Sequence, residues 1–284
     1  MNSHRRRRVL AQLALLGALP GGVPVLTAPT FAADPPLTLG LVPYLSPAAM
    51  LSAYRPLREH LERTLGRAVE MVTTKDFRSL VEATRSLRYD VVLLPAHVAR
   101  LAISDWRHEP LATTAITVHV QVLVRANSAI KRAADLGGGR AGMLDALSLT
   151  GTVGRKWLQD QGLGDSVEVV SLPSINTALH ALDHGEISMV VAATSQLLAL
   201  PPATPRSERV LAEIRDIPPP IYIARPGYSA AELARLRAAL ASFKPDPSQP
   251  TTAHNTLLQP VSAQQLATLD SFAAIARKAL AAPR

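Results

Sequence analysis

The stretch RAGMLDALSLTGTVGRKWLQDQGLG, residues 140–164, decides the fold. It opens with RAGMLD at residues 140–145, a short apolar run that predicts a buried strand. A loop of serine, threonine and glycine follows, and the pattern after it predicts a helix from Thr152 to Gln161. A strand that passes directly into a helix is half of a β-α-β unit, and such units build sheets of parallel strands.

Strand and helix patterns alternate through most of the chain in two series. The first helix is opened by Ser46 before Pro47 and closed by Gly66, which are typical capping residues. Strands are predicted at residues 37–44, 68–74, 89–96, 115–127, 140–145, 166–172 and 187–193, and again within 217–229. Helices are predicted at residues 48–65, 76–87, 128–138, 152–161, 175–185, 230–243 and roughly 262–280.

The last two helices need a sheet to cover, and the first sheet has too few helices for both of its faces. We therefore expect a two-lobed α/β fold in which each lobe is a mostly parallel sheet flanked by helices. The chain is expected to cross between the lobes near residues 117–124 and 218–222. Domain I then takes residues 34–120 and 221–284, and domain II takes residues 121–220.

The first 33 residues differ from the rest. Arg5 to Arg8 form a basic start, residues 9–19 are apolar, and small residues gather at 28–33. This order is typical of a secretory signal peptide, here cleaved after Ala32 or Ala33. No run approaches the roughly 20 apolar residues that span a bilayer, so we expect a periplasmic protein that does not insert into the membrane. The adjacent arginines leave the general secretory and the twin-arginine routes open.

Composition narrows the classes of partner. The formal charge is +8, but Arg5 to Arg8 supply four of the positive charges, so about +4 remains without the signal. The arginines are scattered and aromatic residues make up 4% of the chain, which argues against nucleic acid as a partner. There is no cysteine, so we expect neither a disulfide nor a cysteine-linked lipid anchor. A small anion is the partner that the residual charge favours.

The loop DALSLTGTVG, residues 145–154, admits three kinds of chemistry. A nucleophilic serine at a strand-to-helix elbow needs Gly-x-Ser-x-Gly, and no glycine stands two residues before Ser148. A Walker-type phosphate loop needs a lysine after its second glycine, and that lysine is missing. The hydroxyl of Ser148 or Thr150 can instead cap the helix. Because a helix N-terminus also attracts anions, capping and anion binding stay open together.

Six segments carry a family resemblance. They are LTLGLVPY at 37–44, YRPLREHLERTLGRAVEM at 54–71, LVEATRSLRYDVVLLPAHVA at 80–99, VLVRANSAIKRAADLGGGRAGMLD at 122–145, SLTG at 148–151 and ALHALDHGEISMVVAA at 178–193. In order and spacing the chain resembles the phosphate-, phosphite- and phosphonate-binding periplasmic proteins of ABC importers. The resemblance implies a type II periplasmic binding protein fold with a ligand between two lobes.

The resemblance also implies a set of binding residues. In the family an oxyanion meets a Ser-Thr-Ser-Gly run at a helix start, a tyrosine after the first strand, an aromatic residue after a Gly-Pro loop, and a histidine and acidic residues of domain II. By position, the ligand-binding residues expected here are Tyr44, His97, Ser148, Thr150, Gly151 and Asn176.

Some positions depart from the family pattern. Leu149 interrupts the hydroxyl run, Ile175 takes the place of the histidine, and Asn176 and Ser188 take the places of acidic residues. His97 stands where an aromatic residue is usual. A phosphonate that carries an amine normally meets acidic partners, so their loss argues against an aminophosphonate.

Other polar residues are weaker candidates. Thr74 and Lys75 follow the second predicted strand, and Asp145 ends a strand just before the serine loop, where its charge would repel an anion. His180 and His184 stand four apart on a helix, but a structural or exposed pair is favoured over a metal site.

We therefore expect the periplasmic substrate-binding component of an ABC importer. It captures a small oxyanion as its two lobes close, and an inner-membrane permease recognises the closed form. A ligand-sensing module that serves a signalling partner is the alternative. An enzyme on this fold is a further alternative, although no acid, base and nucleophile set stands out. We expect no cofactor and no metal.

Overall fold

The computed structural model describes residues 35–116, 118–198, 200 and 206–281. Their strands are β1 Leu37–Leu41, β2 Val69–Thr73, β3 Val91–Leu94, β4 Glu109–Thr114, β5 Val118–Arg125, β6 Arg140–Met143, β7 Glu168–Ser171, β8 Met189–Ala193, β9 Glu208–Ile217, β10 Ile221–Ala224 and β11 Leu258–Gln259. Their α-helices are α1 Pro47–Leu65, α2 Phe77–Arg85, α3 Ala96–Trp106, α4 Leu149–Asp160, α5 Ile175–Asp183, α6 Thr194–Leu198, α7 Ala230–Ala241, α8 Ala263–Ala267 and α9 Asp270–Ala281. The predicted signal peptide lies outside the described residues.

Two mixed sheets form the framework. The first has the strand order β11-β4-β10-β3-β1-β2, and the second has the order β7-β6-β8-β5-β9. In each, three neighbouring strands run parallel: β3-β1-β2 in the first sheet and β7-β6-β8 in the second. The remaining strands pair antiparallel. The predicted two-lobed α/β fold is confirmed, with a parallel centre in each sheet and antiparallel strands beside it.

The chain passes between the sheets twice. It leaves the first sheet after β4, enters the second at β5, and returns from β9 to β10 through residues 218–220. Because β10 pairs with both β3 and β4, the returning segment is held in the middle of the first sheet. Residues 34–284 form one compact unit. The domain boundaries at 120/121 and 220/221 stay a prediction.

The first helix follows its sequence signals. Ser46 caps α1 through a hydrogen bond from the Ala49 amide at 3.4 Å, and Gly66 ends it with φ of +69°. Tyr54, Leu57 and Leu61 lie on its buried face. Apolar residues three and four apart share one side of a helix. This side of α1 packs on the first sheet.

The secondary structure departs from the predictions in several places. Four elements were not predicted, namely β4, β9, β11 and α6. The strand expected at 115–127 is shorter and corresponds to β5 alone. The helix expected at 128–138 is reduced to a single 3₁₀ turn, Ala133–Leu136. There the Asp135 carboxylate accepts the amides of Lys131 and Arg132, which caps the start of this short turn.

The final helix is divided. The pattern at 262–280 predicts one helix, and the structure has α8 and α9 with a break at residues 268–269. α7 packs on α1 and on strand β4 of the first sheet, and α9 packs on α3, with Ala273 and Ala276 in the hydrophobic core of the same sheet. Every helix in the described part of the chain is too short or too polar to cross a membrane.

Candidate functional site

A cavity of about 70 Å³ lies where elements of the two sheets meet. Its walls come from the ends of β1, β3 and β8, from the first turns of α2, α4 and α6, and from the two crossing segments. The lining residues are Val42, Tyr44, Tyr54, Phe77, Leu93, Pro95, Ile116, Val118, Ser148, Leu149, Thr150, Ala193, Ser195, Gln196, Pro220 and Ala253. The carboxyl ends of parallel strands thus supply the walls, as expected for α/β sheets.

The N-terminus of α4 forms one wall of this cavity. Ser148 is the N-cap, and its Oγ accepts the Gly151 amide at 2.9 Å. The amides of Leu149 and Thr150 have no acceptor among the described residues, as is usual in a first helical turn. Since Ser148 Oγ accepts here, its own hydrogen is available to Thr150 Oγ1 at 3.4 Å or to a ligand. The helix starts three residues earlier than predicted, which brings Thr150 into the first turn.

Gly151 acts at this wall through close packing. A Cβ at this position would lie 2.2 Å from the Asp145 carbonyl oxygen and 2.8 Å from that of Leu144. The loop after β6 can therefore approach α4 only because residue 151 is glycine. Gly151 is not among the lining residues.

Tyr44, which follows β1, also lines the cavity. Its Oη lies 3.4 Å from Tyr54 Oη and 3.5 Å from His254 Nδ1. Burial raises the pKa of Tyr44 to about 12, and the hydrogen bond with Tyr54 partly offsets this effect. Tyr44 therefore keeps its hydroxyl hydrogen at physiological pH and can act as a donor.

His97 lies behind the cavity and joins the two sheets. Its Nε2 lies 3.0 Å from the Leu147 carbonyl oxygen and 3.2 Å from Thr152 Oγ1, while Nδ1 is buried without a partner among the described residues. Burial lowers the pKa of His97 to about 4, although the Leu147 bond opposes the shift. The ring is therefore neutral at physiological pH, with Nε2–H as the donor, and it does not line the cavity.

The other predicted residues lie away from the cavity. Asn176 is exposed on the first turn of α5, and Ile175 beside it packs in a hydrophobic cluster of the second sheet. Lys75 and Asp145 line a separate groove of about 280 Å³ that shares only Phe77 with the cavity. The rings of His180 and His184 stack at 4.0 Å on the exposed end of α5.

Besides Tyr54 of α1, two polar residues of the cavity were missed by the sequence analysis. Gln196 Oε1 accepts the Ala193 amide at 2.9 Å, which leaves its NH₂ group as a possible donor, and Ser195 lies beside it. Both follow β8 in the segment AATSQ, at the carboxyl end of a buried parallel strand. Their position directly after a buried strand was the signal from which the sequence could have indicated these two residues.

The polar groups that line the cavity are all neutral. Among the described lining residues there is no lysine, arginine, aspartate or glutamate. Arg155, one turn into α4, donates to the Gly151 carbonyl at 3.1 Å instead of lining the cavity. The site can therefore offer hydroxyl, amide and helix-terminal donors to a ligand, together with a large apolar surface.

A family comparison agrees with this arrangement. Residues 39–271 match the family described as ABC transporter, phosphonate, periplasmic substrate-binding protein. The chain belongs to this family. It is thus a substrate-binding component of the ABC phosphonate-importer class, which is a class of transport proteins rather than enzymes.

Solved structures show the same fold. The PhnD1 protein of Prochlorococcus marinus in complex with methylphosphonate matches with a TM-score of 0.72 and 13% identity, over 85% of this chain and 97% of its own. A binding protein component of an ABC phosphonate transporter from Pseudomonas aeruginosa matches at 0.71 and 15% identity, over 86% and 87% of the two chains. A Xanthomonas citri protein bound to ATP matches with a TM-score of 0.68 and 18% identity, over 86% of this chain and 97% of its own.

The buried His97 should make this family member sensitive to acid. An unfolded chain takes up a proton at histidine below about pH 6.5, whereas folded His97 stays neutral until about pH 4. The stability is therefore complete above pH 6.5 and is lost as the pH falls towards 4, by at most about 3 kcal/mol. In H97Q, where the side chain can still donate to Leu147, this part of the loss should disappear.

Urea unfolding of the mature protein at pH 7 and at pH 4.5 measures the effect. H184Q, at the exposed end of α5, is the matched control and should follow the wild-type profile. An equal loss of stability in wild type and H97Q would contradict the assignment.

Proposed function

We propose that this protein captures a small oxyanion in the cavity between the two sheets and delivers it to an inner-membrane permease. One observation carries the proposal: the N-terminus of α4 opens into a cavity that Ser148 and Thr150 line with hydroxyls. A helix N-terminus attracts anions through its unpaired amides and its positive end. The family membership supports the same function.

The proposed contacts come from both sheets. Ser148 and Thr150 donate from the second sheet and Tyr44 donates from the first, while Gln196 adds an amide donor. Gly151 contributes by letting α4 approach, and His97 contributes by holding the Leu147 carbonyl. A direct contact of His97 or Asn176 with the ligand stays a prediction.

The proposed ligand has a small apolar substituent. Phe77, Ile116, Val118 and Leu149 offer apolar surface around the donors. A methyl group gains from this surface, whereas an ammonium group would find no carboxylate there. Among phosphonates, we therefore infer an alkylphosphonate of the methylphosphonate type. An alkanesulfonate has the same outline and carries a single negative charge.

Transport follows from closure of the two lobes. A ligand that contacts residues of both sheets favours the closed form, because only that form provides all the contacts. We propose that the two crossing segments act as the hinge and that the chain reaches the periplasm through its N-terminal signal. Genes for a permease and an ATPase beside this one would support import, and a neighbouring histidine kinase would favour the sensing alternative.

The helix cap provides a first test. S148A removes both an N-cap and a proposed ligand donor, whereas S174A removes only the equivalent cap of α5, whose Oγ accepts the Thr177 amide at 3.1 Å. Each variant should be about 1 kcal/mol less stable than wild type, because it loses a helix cap. Only S148A should weaken methylphosphonate binding, by roughly tenfold or more, since a hydrogen bond to a charged group contributes about 1.5–3 kcal/mol.

Titration calorimetry with methylphosphonate, methanesulfonate, phosphate and acetate measures these affinities. Equal affinities of S148A and S174A would remove Ser148 from the site. No heat with any of the four ligands, for folded wild-type protein, would overturn the proposed oxyanion function.

The sign of the ligand charge provides a second test. Q196E places a carboxylate of nearly the same shape in the cavity wall, so it should weaken anion binding by about 100-fold or more, because a buried like charge is costly. Q161E makes the same replacement at the exposed C-terminal end of α4 and should bind like wild type. Unchanged or stronger methylphosphonate binding by Q196E in calorimetry would contradict an anionic ligand at this wall.

A further inference from the structure

A loop from the C-terminal part of the chain, which is held in shape by its own hydrogen bonds, reaches the cavity. Residues 242–257 join α7 to β11. Asn255 organises them: its Oδ1 accepts the Asp246 amide at 2.8 Å, and its Nδ2 donates to the carbonyls of Asp246, Gln249 and Pro250 at 2.9, 3.3 and 3.2 Å. These bonds fix the segment that places Ala253 in the cavity wall and His254 beside Tyr44.

His254 belongs to a cluster with three tyrosines, the tyrosine–histidine cluster Tyr44, Tyr54, Tyr222 and His254. The His254 ring lies 5.6 Å from the Tyr54 ring at an angle of 56°, and its Nδ1 lies 3.5 Å from Tyr44 Oη. Tyr222 is fully buried, and its hydroxyl has no hydrogen-bond partner among the described residues. Tyr44 and Tyr54 line the cavity, so the cluster is its polar edge on the side of the first sheet.

Histidine is the one residue type in the cluster whose ordinary pKa lies near neutral pH. The titratable groups that face His254 are Tyr44, after β1, and Tyr54 on α1, with Tyr222 of β10 interacting with both. Burial raises the pKa of each tyrosine, so all three stay neutral. In the described part of the chain, no lysine, arginine or carboxylate pairs with His254. Burial lowers its pKa below the ordinary histidine value.

The proton on His254 decides what Tyr44 can offer to the cavity. A tyrosine hydroxyl has one hydrogen to donate and lone pairs that accept. When the ring is neutral with its hydrogen on Nε2, the bare Nδ1 accepts from Tyr44, which then presents only lone pairs to an anion. When the ring is protonated, both nitrogens carry hydrogen, so Nδ1 donates to Tyr44, whose own hydrogen is then free to point at the ligand. The protonated ring also brings a positive charge close to a cavity that has none.

We propose that His254 is a positioning residue for anion binding: through Tyr44, its protonation aims a donor into the cavity and supplies the missing positive charge. The inference rests on the proposed function, because it presumes an anion beside Tyr44. The linkage has a definite sign. A bound anion raises the pKa of His254, so binding is strongest below the ligand-free value and weakens as the pH rises through the bound value. An increase of one unit corresponds to about tenfold in affinity.

Two variants distinguish the effect of an N–H donor at residue 254 from the effect of its positive charge. H254F keeps an aromatic ring against Tyr54 and has no nitrogen. H254N keeps an N–H donor near the position of Nδ1 but cannot titrate. Calorimetry with methylphosphonate at pH 5 and pH 8 gives Kd for both variants and wild type, and the ionisation of the ligand cancels in their ratios. Circular dichroism checks that each protein is folded at both pH values.

The ratio of Kd between H254F and wild type should be larger at pH 5 than at pH 8, by up to about tenfold for each unit by which the anion raises the pKa of His254. H254N should bind more tightly than H254F by the same factor at both pH values. A ratio of H254F to wild type that does not change with pH, while wild type binds the ligand, overturns the role of His254 and leaves the proposed function intact. If folded wild type binds methylphosphonate at neither pH, both the proposed function and this inference fail.

Discussion

The chain leaves the first sheet after Thr114 and rejoins it at Ile221, and the site depends on that double crossing. It brings the carboxyl ends of parallel strands from two separate sheets to one gap. The His97–Leu147 hydrogen bond holds the gap together from behind, and Leu144 and Leu147 of the loop after β6 pack in the core of the first sheet. The serine-capped start of α4 and Tyr44 therefore line the same small cavity.

The hydrogen-bond donors that line this cavity are uncharged. A charge removed from water is tolerated only where hydrogen bonds replace its hydration, and here hydroxyls, an amide and a helix terminus are available. Such donors select a ligand by shape and by the direction of its oxygens more than by its net charge. Lys75 lies in the neighbouring groove and is largely exposed, so it can attract anions without contacting one in the cavity.

The sequence signals that succeeded were local ones. Ser46 and Gly66 bound α1 as predicted, and the serine loop does open a helix at a cavity. The failures have physical causes. Pro110 argues against a strand, but β4 accommodates it where the pairing with β10 shifts register. β9 is an edge strand rich in charged residues, so it lacks the apolar run that marks a buried strand.

Long-range contacts could not be predicted from one sequence. His254 and Tyr44 are 210 positions apart, and nothing in the proline-rich segment before β11 indicates that it reaches the first strand. Gln196 follows β8 as the other candidates follow their strands, yet polar residues also occupy such positions without a ligand. Leu149 interrupts the family's hydroxyl run and lies in the cavity wall, where it adds apolar surface beside the donors.

A crystal structure of the mature protein with methylphosphonate tests the central claim most directly. The account predicts phosphonate oxygens within hydrogen-bond distance of the Ser148 and Thr150 hydroxyls and of Tyr44 Oη, with the methyl group against Leu149 or Phe77. A phosphonate bound in the groove beside Lys75, or anywhere outside the cavity between the two sheets, would contradict it.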